Sequence, residues 1–227
     1  MSTVATKVKA VVFDFDGVIV ESLDVKTEAF RLLFAEEPDH VEQIVRLHVE
    51  NMGVSRYDKF RTIYRDYLDR PLGDAEMSRL DARFSELVFE RVVACELVAG
   101  ARELLERLAS EQELYVASAT PEEELRRIVE ARDLTAFFTA VHGSPRTKAE
   151  IVREILEGRG LSPEEVVFVG DAITDLQAAR ETGVGFVGRV PREAADPFAE
   201  VDVVKVADLA GLASRWDELR VSPPPAP

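Results

Sequence analysis

The sequence predicts an α/β fold in which a doubly wound, Rossmann-like parallel sheet carries an inserted α-helical domain. Six short runs rich in Val and Phe alternate with segments of helical length. These runs are almost continuously apolar, which is typical of parallel strands that are covered by helices on both faces. A long helical stretch, residues 22–94, separates the first run from the second and shows no strand pattern. The alternation predicts the sheet, and the break in it predicts the insertion.

The predicted elements follow in order along the chain. The six runs are VKAVVFDFD, ELYVASA, FTAVHG, EEVVFVGD, VGFVGRV and VDVVKV. After the second run, Thr120 and Pro121 precede a run of glutamates, which is a helix-start signature. Leu125, Ile128 and Val129 then lie on one stripe of that helix. We therefore expect helices to cross over between the strands and to pack on the sheet.

The domain boundaries follow from the position of the insertion. Residues 1–20 and 96–227 are predicted to form the α/β core, and residues 21–95 a helical cap domain. The cap contains the amphipathic segments DVKTEAFRLLF, SRYDKFRTIYRDYL and DAEMSRLDARFSELVFERVV. An insertion here would lie over the carboxyl ends of the strands, where ligands bind in open α/β sheets. The proline-rich residues 222–227 are predicted to be a disordered tail.

Composition and charge argue against several classes of function. The formal net charge of -15 argues against nucleic acid, because binding to a phosphodiester backbone needs clustered Lys and Arg. A small anionic substrate stays compatible, since a metal ion can reverse the field locally. No run approaches the roughly 18 apolar residues of a membrane span, and the single cysteine, Cys95, fits a reducing compartment. We expect a cytoplasmic monomer or homodimer.

Four groups of polar or small residues follow strands or open helices at the strand ends. In a doubly wound sheet these ends converge on one crevice. Each group alone has an ordinary explanation, since Asp and Gly are common turn residues and a lysine in a first helical turn is usually solvated. Their conjunction, in order and each at a strand end, favours a site. The groups are Asp14, Asp16 and Gly17; Ser118, Ala119 and Thr120; Lys148; and Gly170, Asp171 and Asp175.

The residue types at this crevice predict phosphoryl chemistry. Carboxylates held close together repel one another unless protons or a cation intervene. A hard divalent cation with oxygen ligands, most simply Mg²⁺, removes that conflict and leaves positions for a phosphate. One carboxylate can then act as nucleophile and its neighbour as general acid and base. Lys148 and the hydroxyl of Ser118 would hold the phosphoryl oxygens as charge develops.

The ordered motifs FDFDGVIVES, VASAT, Lys148 and FVGDAITD resemble those of the haloacid dehalogenase-like hydrolases. The resemblance covers nearly the whole chain, including a cap inserted after the first motif, as in the small α-helical cap subclass of phosphoglycolate phosphatases and β-phosphoglucomutases. It implies that Asp14 attacks phosphorus to form an aspartyl-phosphate and that Asp16 protonates the leaving oxygen and then activates water. The phosphate-binding positions that it implies are Ser118, Ala119, Lys148 and Gly17. The Mg²⁺ site that it implies consists of Asp14, the backbone carbonyl of Asp16, Asp171 and Asp175.

Departures from the family pattern separate the alternatives. An aspartate at position 16 suits an alcohol leaving group, which needs a proton, and argues against dehalogenation. A sugar phosphate mutase resembling β-phosphoglucomutase is an alternative, but Lys26 stands where those mutases carry a histidine, and Asp171 and Asp175 are four residues apart rather than adjacent. Ala149 replaces the proline that usually follows the third-motif lysine. Phosphonate cleavage would need a Schiff-base lysine in the cap. A catalytically idle, ligand-binding member is the third alternative.

In the cap, the stretch MGVSRYDKF supplies the candidates for substrate specificity. Arg56 would hold a second anionic group of the substrate, and Lys59, Asn51 and Ser55 are the further candidates. The competing interpretation places Arg56 and Lys59 on a solvated helix face. The histidines lack ligand-like spacing, so we expect them to lie at the surface or to be satisfied locally. The sequence thus predicts a Mg²⁺-dependent phosphomonoester hydrolase for a small phosphorylated metabolite.

Overall fold

The computed structural model describes residues 7–219 and 221–225. Within them, six strands form one sheet in the order β3-β2-β1-β4-β5-β6, and every neighbouring pair is parallel. The order reverses at β1, so β1 lies between the two wound halves of the sheet. The predicted doubly wound α/β fold and its six strands are confirmed. The strands are β1 Ala10–Phe13, β2 Glu113–Pro121, β3 Ala140–Ser144, β4 Val166–Gly170, β5 Gly185–Arg189 and β6 Val204–Val206.

The helices of the described part fall into a group before β2 and a group around the sheet. A π-helical turn, Ile63–Tyr67, continues the third helix, and short 3₁₀ turns cover Thr135–Phe137, Pro163–Glu165 and Trp216–Glu218. The first group comprises α1 Leu23–Leu33, α2 Val41–Glu50, α3 Arg56–Thr62 and α4 Asp74–Ala94, followed by α5 Ala101–Leu108 directly before β2. The remaining helices are α6 Glu122–Ala131, α7 Lys148–Arg159, α8 Ile173–Thr182 and α9 Leu209–Arg215.

Alternate residues of β1 pack on opposite faces of the sheet. Val11 and Phe13 belong to one apolar core with α5, α6 and α9, whereas Ala10 and Val12 belong to a second core with α7 and α8. All four side chains are fully buried. A strand that is buried on both faces has no polar position until it ends, which explains why the first polar side chain after β1 is Asp14.

Helices α1–α4 pack around a cluster of phenylalanines. Phe30 lies 4.9 Å from Phe84 and 5.9 Å from Phe60 between ring centroids, and Phe34 lies 6.2 Å from Phe60. Tilted and edge-on rings at these distances stabilise the cluster beyond the area that they bury. The rings join α1, α3 and α4, which supports our proposal of a cap at residues 21–95, and they belong to the same buried cluster as Val11 and Phe13.

The two connections between the helical insertion and the sheet run side by side. Val20 forms an antiparallel bridge with Leu97, and the Glu21 amide donates to the carbonyl oxygen of Glu96 at 3.0 Å. The proposed boundaries at 20/21 and 95/96 coincide with this paired segment.

Two further features concern the end of the chain and membranes. The tail is described as far as Pro225, whose carbonyl oxygen accepts a hydrogen bond from Arg180 Nε at 2.7 Å; residues 226 and 227 lie outside the described part. Among the described residues, no helix has both the length and the apolar character that crossing a membrane requires.

Candidate active site

Asp14 lies at the centre of the crevice because β1 pairs with both β2 and β4. Its backbone amide continues the sheet by donating to the carbonyl oxygen of Val169 at 2.9 Å. Its side chain is buried, and Oδ1 accepts a hydrogen bond from the Phe15 amide at 2.6 Å. Burial raises the pKa of Asp14 to about 7, although the Lys148 ammonium opposes that shift. The carboxylate is therefore held in place at the end of β1, where the strand order reverses.

Lys148 is the first residue of α7, which begins with a capping box between Thr147 and Glu150. Its Nζ donates to Asp14 Oδ2 at 2.6 Å and to Asp175 Oδ1 at 2.5 Å. Burial lowers the pKa of a lysine, but here the two carboxylates outweigh it and raise the pKa of Lys148. The ammonium stays charged and holds both aspartates in place, and replacing the usual proline by Ala149 does not prevent this contact.

Asp171 directly follows β4, and Asp175 lies in the first turn of α8. Asp175 Oδ2 accepts from the backbone amides of Asp171 at 3.2 Å and Ala172 at 2.9 Å. Carboxylate oxygens of Asp14, Asp171 and Asp175 all lie within 4.8 Å of one another. Burial, followed by the charges of Asp14 and Asp175, raises the pKa of Asp171 well above its ordinary value. Two buried carboxylates, Asp14 and Asp175, and the half-buried Asp171 form an oxygen donor set that fits a hard divalent cation.

Gly17 lies against the same cluster. Its φ of +75° is in the left-handed region, and a Cβ at this position would lie 2.2 Å from Asp171 Oδ2. Only glycine therefore permits this loop to approach Asp171 so closely. From β5, Arg189 donates to the Gly17 carbonyl oxygen at 3.0 Å and pairs with Glu21, so it anchors the loop. The phosphate-binding role of Gly17 stays a prediction.

Asp16 is held by donors from the cap side and from β2. Oδ1 accepts from Ser22 Oγ at 2.6 Å, and Oδ2 accepts from Thr120 Oγ1 at 2.9 Å and from the ammonium of Lys26. Burial raises the pKa of this carboxyl, but Lys26 and the two hydroxyls outweigh burial, so the pKa of Asp16 is lowered. The predicted helix after β2 is confirmed as α6, but Thr120 does not cap it, since its hydroxyl is bonded to Asp16.

A small cavity of about 50 Å³ lies between the strand ends and the cap helices. Ser118 and Ala119 line it from β2, and Ser118 Oγ accepts from the Thr120 amide at 3.2 Å. Core and cap side chains therefore face one enclosed space. The lining residues are Asp14, Asp16, Leu23, Lys26, Phe30, His48, Met52, Gly53, Val54, Arg56, Lys59, Phe84, Ser118, Ala119, Thr120 and Asp171.

Two of the four predicted cap residues line this cavity. Arg56 and Lys59 are each only 5% exposed, so the interpretation that they lie on a solvated helix face is wrong. Asn51 and Ser55 are not among the lining residues: the Asn51 amide donates to the carbonyl oxygen of Leu47 at 2.8 Å, and Ser55 caps α3 by accepting from the Asp58 amide at 3.2 Å. These hydrogen bonds are local to the cap, although Ser55 lines a neighbouring cavity together with Ser118, Ala119 and Lys148.

Arg56 is already paired. Its guanidinium contacts both carboxylate oxygens of Glu124 on α6, at 2.5 and 3.0 Å, and also Asp81 at 3.2 Å and Ser85 at 2.8 Å. It lies 4.6 Å above the ring of Phe84. In this structure the guanidinium therefore joins the cap to the core, whereas the sequence predicted that it would hold an anionic group of the substrate.

His48 and Lys26 were missed as site residues by sequence reasoning. His48 is 3% exposed and lines the cavity, contrary to the expectation of a surface or locally satisfied histidine, because its Nε2 is buried without a hydrogen-bond partner in the described residues. Nδ1 lies 3.0 Å from Lys59 Nζ. No spacing in the sequence predicts that His48 and Lys26 line the cavity, because their positions depend on how the cap helices pack.

Comparison with known proteins agrees with the geometry. The family model described as haloacid dehalogenase-like hydrolase matches residues 8–183. A phosphoglycolate phosphatase of Rhodospirillum rubrum is 26% identical over 217 residues, covering 92% of this chain and 90% of that protein. A phosphorylated carbohydrates phosphatase of Thermotoga maritima is 28% identical over 189 residues, covering 78% of this chain and 82% of that protein.

A solved structure has the same fold as this chain. The crystal structure of a hydrolase from Pseudomonas syringae superposes with a TM-score of 0.76 at 19% identity, covering 93% of this chain and 99% of that one. The matched model spans most of the chain, from before β1 to the end of α8. The sequence-based prediction of a phosphatase from this family is confirmed at the level of the enzyme class. The chain belongs to the haloacid dehalogenase-like hydrolases.

Proposed function

We propose that the chain is a Mg²⁺-dependent phosphomonoester hydrolase that acts on a small phosphorylated metabolite through an aspartyl-phosphate on Asp14. The observation that carries the proposal is the buried contact of Lys148 with Asp14, whose side chain lines a cavity together with Asp16 and Ser118. A candidate nucleophile, a candidate acid–base group and a hydrogen-bond donor for phosphate lie together. A simple binding module does not require this combination.

In the first step, the phosphoryl group binds beside Ser118 and Lys148. A carboxylate oxygen of Asp14 forms a bond to phosphorus while the bond to the ester oxygen breaks, and the departing alcohol takes a proton from Asp16. The negative charge of the bound phosphate opposes ionisation of Asp16, which favours its protonated form at that moment. Lys148 offsets the charge that develops on the phosphoryl oxygens.

In the second step, Asp16 is ionised and accepts a proton from water. The water oxygen bonds to phosphorus, the bond between phosphorus and Asp14 breaks, and inorganic phosphate leaves. The donors around Asp16 that lower its pKa suit this base role. The enclosed cavity keeps bulk water away until the alcohol has left.

The carboxylate cluster supports a metal requirement. We propose that Asp14, Asp171 and the backbone carbonyl of Asp16 bind Mg²⁺. Asp175 already accepts hydrogen bonds from Lys148 and from two backbone amides, so we assign it to positioning this cluster. When bound, the ion polarises the phosphoryl group as a Lewis acid and screens the carboxylates from one another.

The size of the cavity supports a small substrate. A small cavity bounded by both core and cap accommodates a compact phosphomonoester more readily than a polymer. The names of the two phosphatase relatives, which refer to phosphoglycolate and to phosphorylated carbohydrates, agree with such a metabolite. We also propose a cytoplasmic enzyme, on the ground of its single, half-buried cysteine.

The test is phosphate release from an aryl phosphate and from a panel of sugar phosphates, phosphoglycolate and nucleotides. We expect release that requires Mg²⁺, stops with EDTA and falls at least about a thousandfold in Asp14→Asn, since the nucleophile is lost. Asp66→Asn, at an exposed cap carboxylate, is the matched control. An Asp14→Asn protein that folds and keeps most of its turnover would contradict the mechanism. Interconversion of sugar phosphates without release would indicate a mutase, and silence in both assays a ligand-binding role.

A further inference from the structure

One cation in the cavity has no carboxylate partner. Three cap side chains that line the cavity carry positive charge: Lys26, Arg56 and Lys59. Lys26 pairs with Asp16, and Arg56 pairs with Glu124. In the described part of the chain, the Lys59 ammonium hydrogen-bonds only with His48, at Nδ1 and, at 3.5 Å, at the backbone oxygen, and it lies 5.6 Å from the centroid of the Phe30 ring. An ammonium buried without a counter-charge is costly in free energy, so an anion that bound beside Lys59 would stabilise its charged form.

His48 supplies a second donor beside it. When Lys59 is charged, its Nζ donates to Nδ1, so the neutral imidazole carries its proton on Nε2. That nitrogen is buried and has no acceptor among the described residues. Burial and the neighbouring Lys59 lower the pKa of His48 to about 3, which keeps the ring neutral. Within the residues that the structure describes, the imidazole N–H therefore has no acceptor, and the ammonium beside it has neutral acceptors on His48 but no carboxylate.

We propose that Lys59 and His48 form a leaving-group subsite that binds a carboxylate carried by the alcohol part of the substrate. The proposal rests on the proposed hydrolase function and deepens it. It replaces Arg56 by Lys59 as the residue that recognises the second anionic group. Lys59 and His48 line the same cavity as Asp14 and Asp16, so the substrate class that we propose is a short phosphorylated hydroxy acid.

The charge of Lys59 makes the preference depend on pH. Burial, followed by the Lys26 ammonium, lowers the pKa of Lys59 to about 7; Asp16 opposes this shift and Lys148 adds to it. These three groups and His48 are the charged or titratable side chains that face it from the end of β1 and from α1, α2 and α7. An anion favours the protonated lysine, so affinity for the carboxylate falls as pH rises above about 7.

The test compares two esters that differ at the leaving group, 2-phosphoglycolate and 2-hydroxyethyl phosphate. Both carry the same phosphate, so the ratio of their kcat/KM values cancels its titration and that of the catalytic groups. We expect the carboxylate ester to be preferred by roughly ten- to a hundredfold at pH 6.5. The ratio should fall by up to about tenfold per pH unit above pH 7.

Lys59→Met should reduce the preference to less than about threefold and remove its pH dependence, because the carboxylate ester loses its counter-charge and the neutral ester has none to lose. Arg61→Met, at an exposed neighbour on the same helix, is the control and should keep the preference. No preference in the wild-type protein, or a preference that survives in a folded Lys59→Met, overturns the subsite. His48→Gln provides a second variant, which should weaken the preference for the carboxylate ester.

A binding measurement separates this inference from the proposed function. If no ester is hydrolysed, aryl phosphate included, the hydrolase proposal fails. Calorimetry then gives the dissociation constants of the same two esters for the wild-type and Lys59→Met proteins. A preference for the carboxylate ester that is lost in Lys59→Met supports the subsite, and equal affinities in the wild type refute it. If the aryl and neutral esters are hydrolysed without preference for the carboxylate ester, the function stands and the subsite is refuted.

Discussion

The buried pair between Arg56 and Glu124 predicts a large coupling energy between cap and core. Side-chain exposure is 4% for Arg56 and 8% for Glu124, so breaking the pair from either side leaves a charge that water does not reach. Losing one partner of a buried pair costs about 3–5 kcal/mol of the free energy of unfolding. For Glu124→Leu we expect the lower end of that range, because Asp81 still contacts the guanidinium at 3.2 Å. Arg56→Met should reach the upper end.

The double variant Arg56→Met/Glu124→Leu removes both charges and should recover most of the loss. Replacing a buried ion pair by apolar side chains is often nearly neutral, so we expect it to lie within about 1 kcal/mol of the wild-type protein. A double-mutant cycle from urea unfolding would then give a coupling energy of about 7 kcal/mol, because nearly all of the two single losses is recovered in the double variant. In thermal unfolding each single variant should lose roughly 10 °C. Additive single effects would refute the assignment of the pair as a buried junction.

The same variants test the role that the sequence predicted for Arg56. If the guanidinium serves the junction alone, the double variant should hydrolyse both 2-phosphoglycolate and 2-hydroxyethyl phosphate with kcat/KM within about threefold of wild type. If Arg56 binds an anionic group of the substrate, the double variant should lose tenfold or more with the carboxylate ester alone. The ratio of the two esters decides between these roles because any general loosening of the cap affects both.

Three further predictions follow from single side chains. Gly17→Ala places a Cβ 2.2 Å from Asp171 Oδ2, so the Mg²⁺ concentration for half-maximal activity should rise about tenfold or more; Gly158→Ala, in open space on α7, should leave it unchanged. Lys59→Met removes a buried, unpaired charge, so its melting temperature without ligand should equal or exceed that of the wild type. The folded pKa of Lys59, about 7, lies below its ordinary value of 10.5, so the unfolded chain binds the extra proton between these values. Wild-type stability relative to Lys59→Met should therefore rise as pH increases from 7 towards 10, and a flat difference would contradict the assignment.

The core of the site was predictable because it follows from the sheet. β1 and β4 are buried on both faces, so their first polar side chains, Asp14 and Asp171, mark the strand ends. Parallel strands bring those ends to one edge, whatever the length of chain between them. The contact of Lys148 with Asp14 spans 134 residues, yet it required only that α7 begin at the same edge as β1 ends.

The cap contacts were not predictable in the same way. Arg56 and Glu124 are 68 residues apart, and Thr120 and Asp16 are 104 apart. Whether Arg56 meets a carboxylate or faces the cavity depends on the rotation of α3 and on how the cap docks against α6. The amphipathic pattern places residues on a face but does not fix that angle. Thr120 shows a related limit, since Thr before Pro and Glu indicates a helix start equally well when the hydroxyl serves a site.

The distribution of charge explains how a chain with a net charge of -15 accepts an anionic substrate. The cap contributes ammonium and guanidinium groups to the cavity wall, while carboxylates at its floor are offset by Lys148 and, in our proposal, by Mg²⁺. In an enclosed space the interaction between nearby charges is screened less than at the surface, so these few side chains outweigh the distant surface carboxylates. Lys26 is paired with Asp16, and Arg56 is paired with Glu124. Among these three cap cations, Lys59 is therefore the one whose protonation depends on whether an anion binds beside it. In our proposal, recognition of the phosphate lies in the core and discrimination between leaving groups in the cap, so changes in α2 and α3 should alter the choice of substrate without altering the chemistry at Asp14.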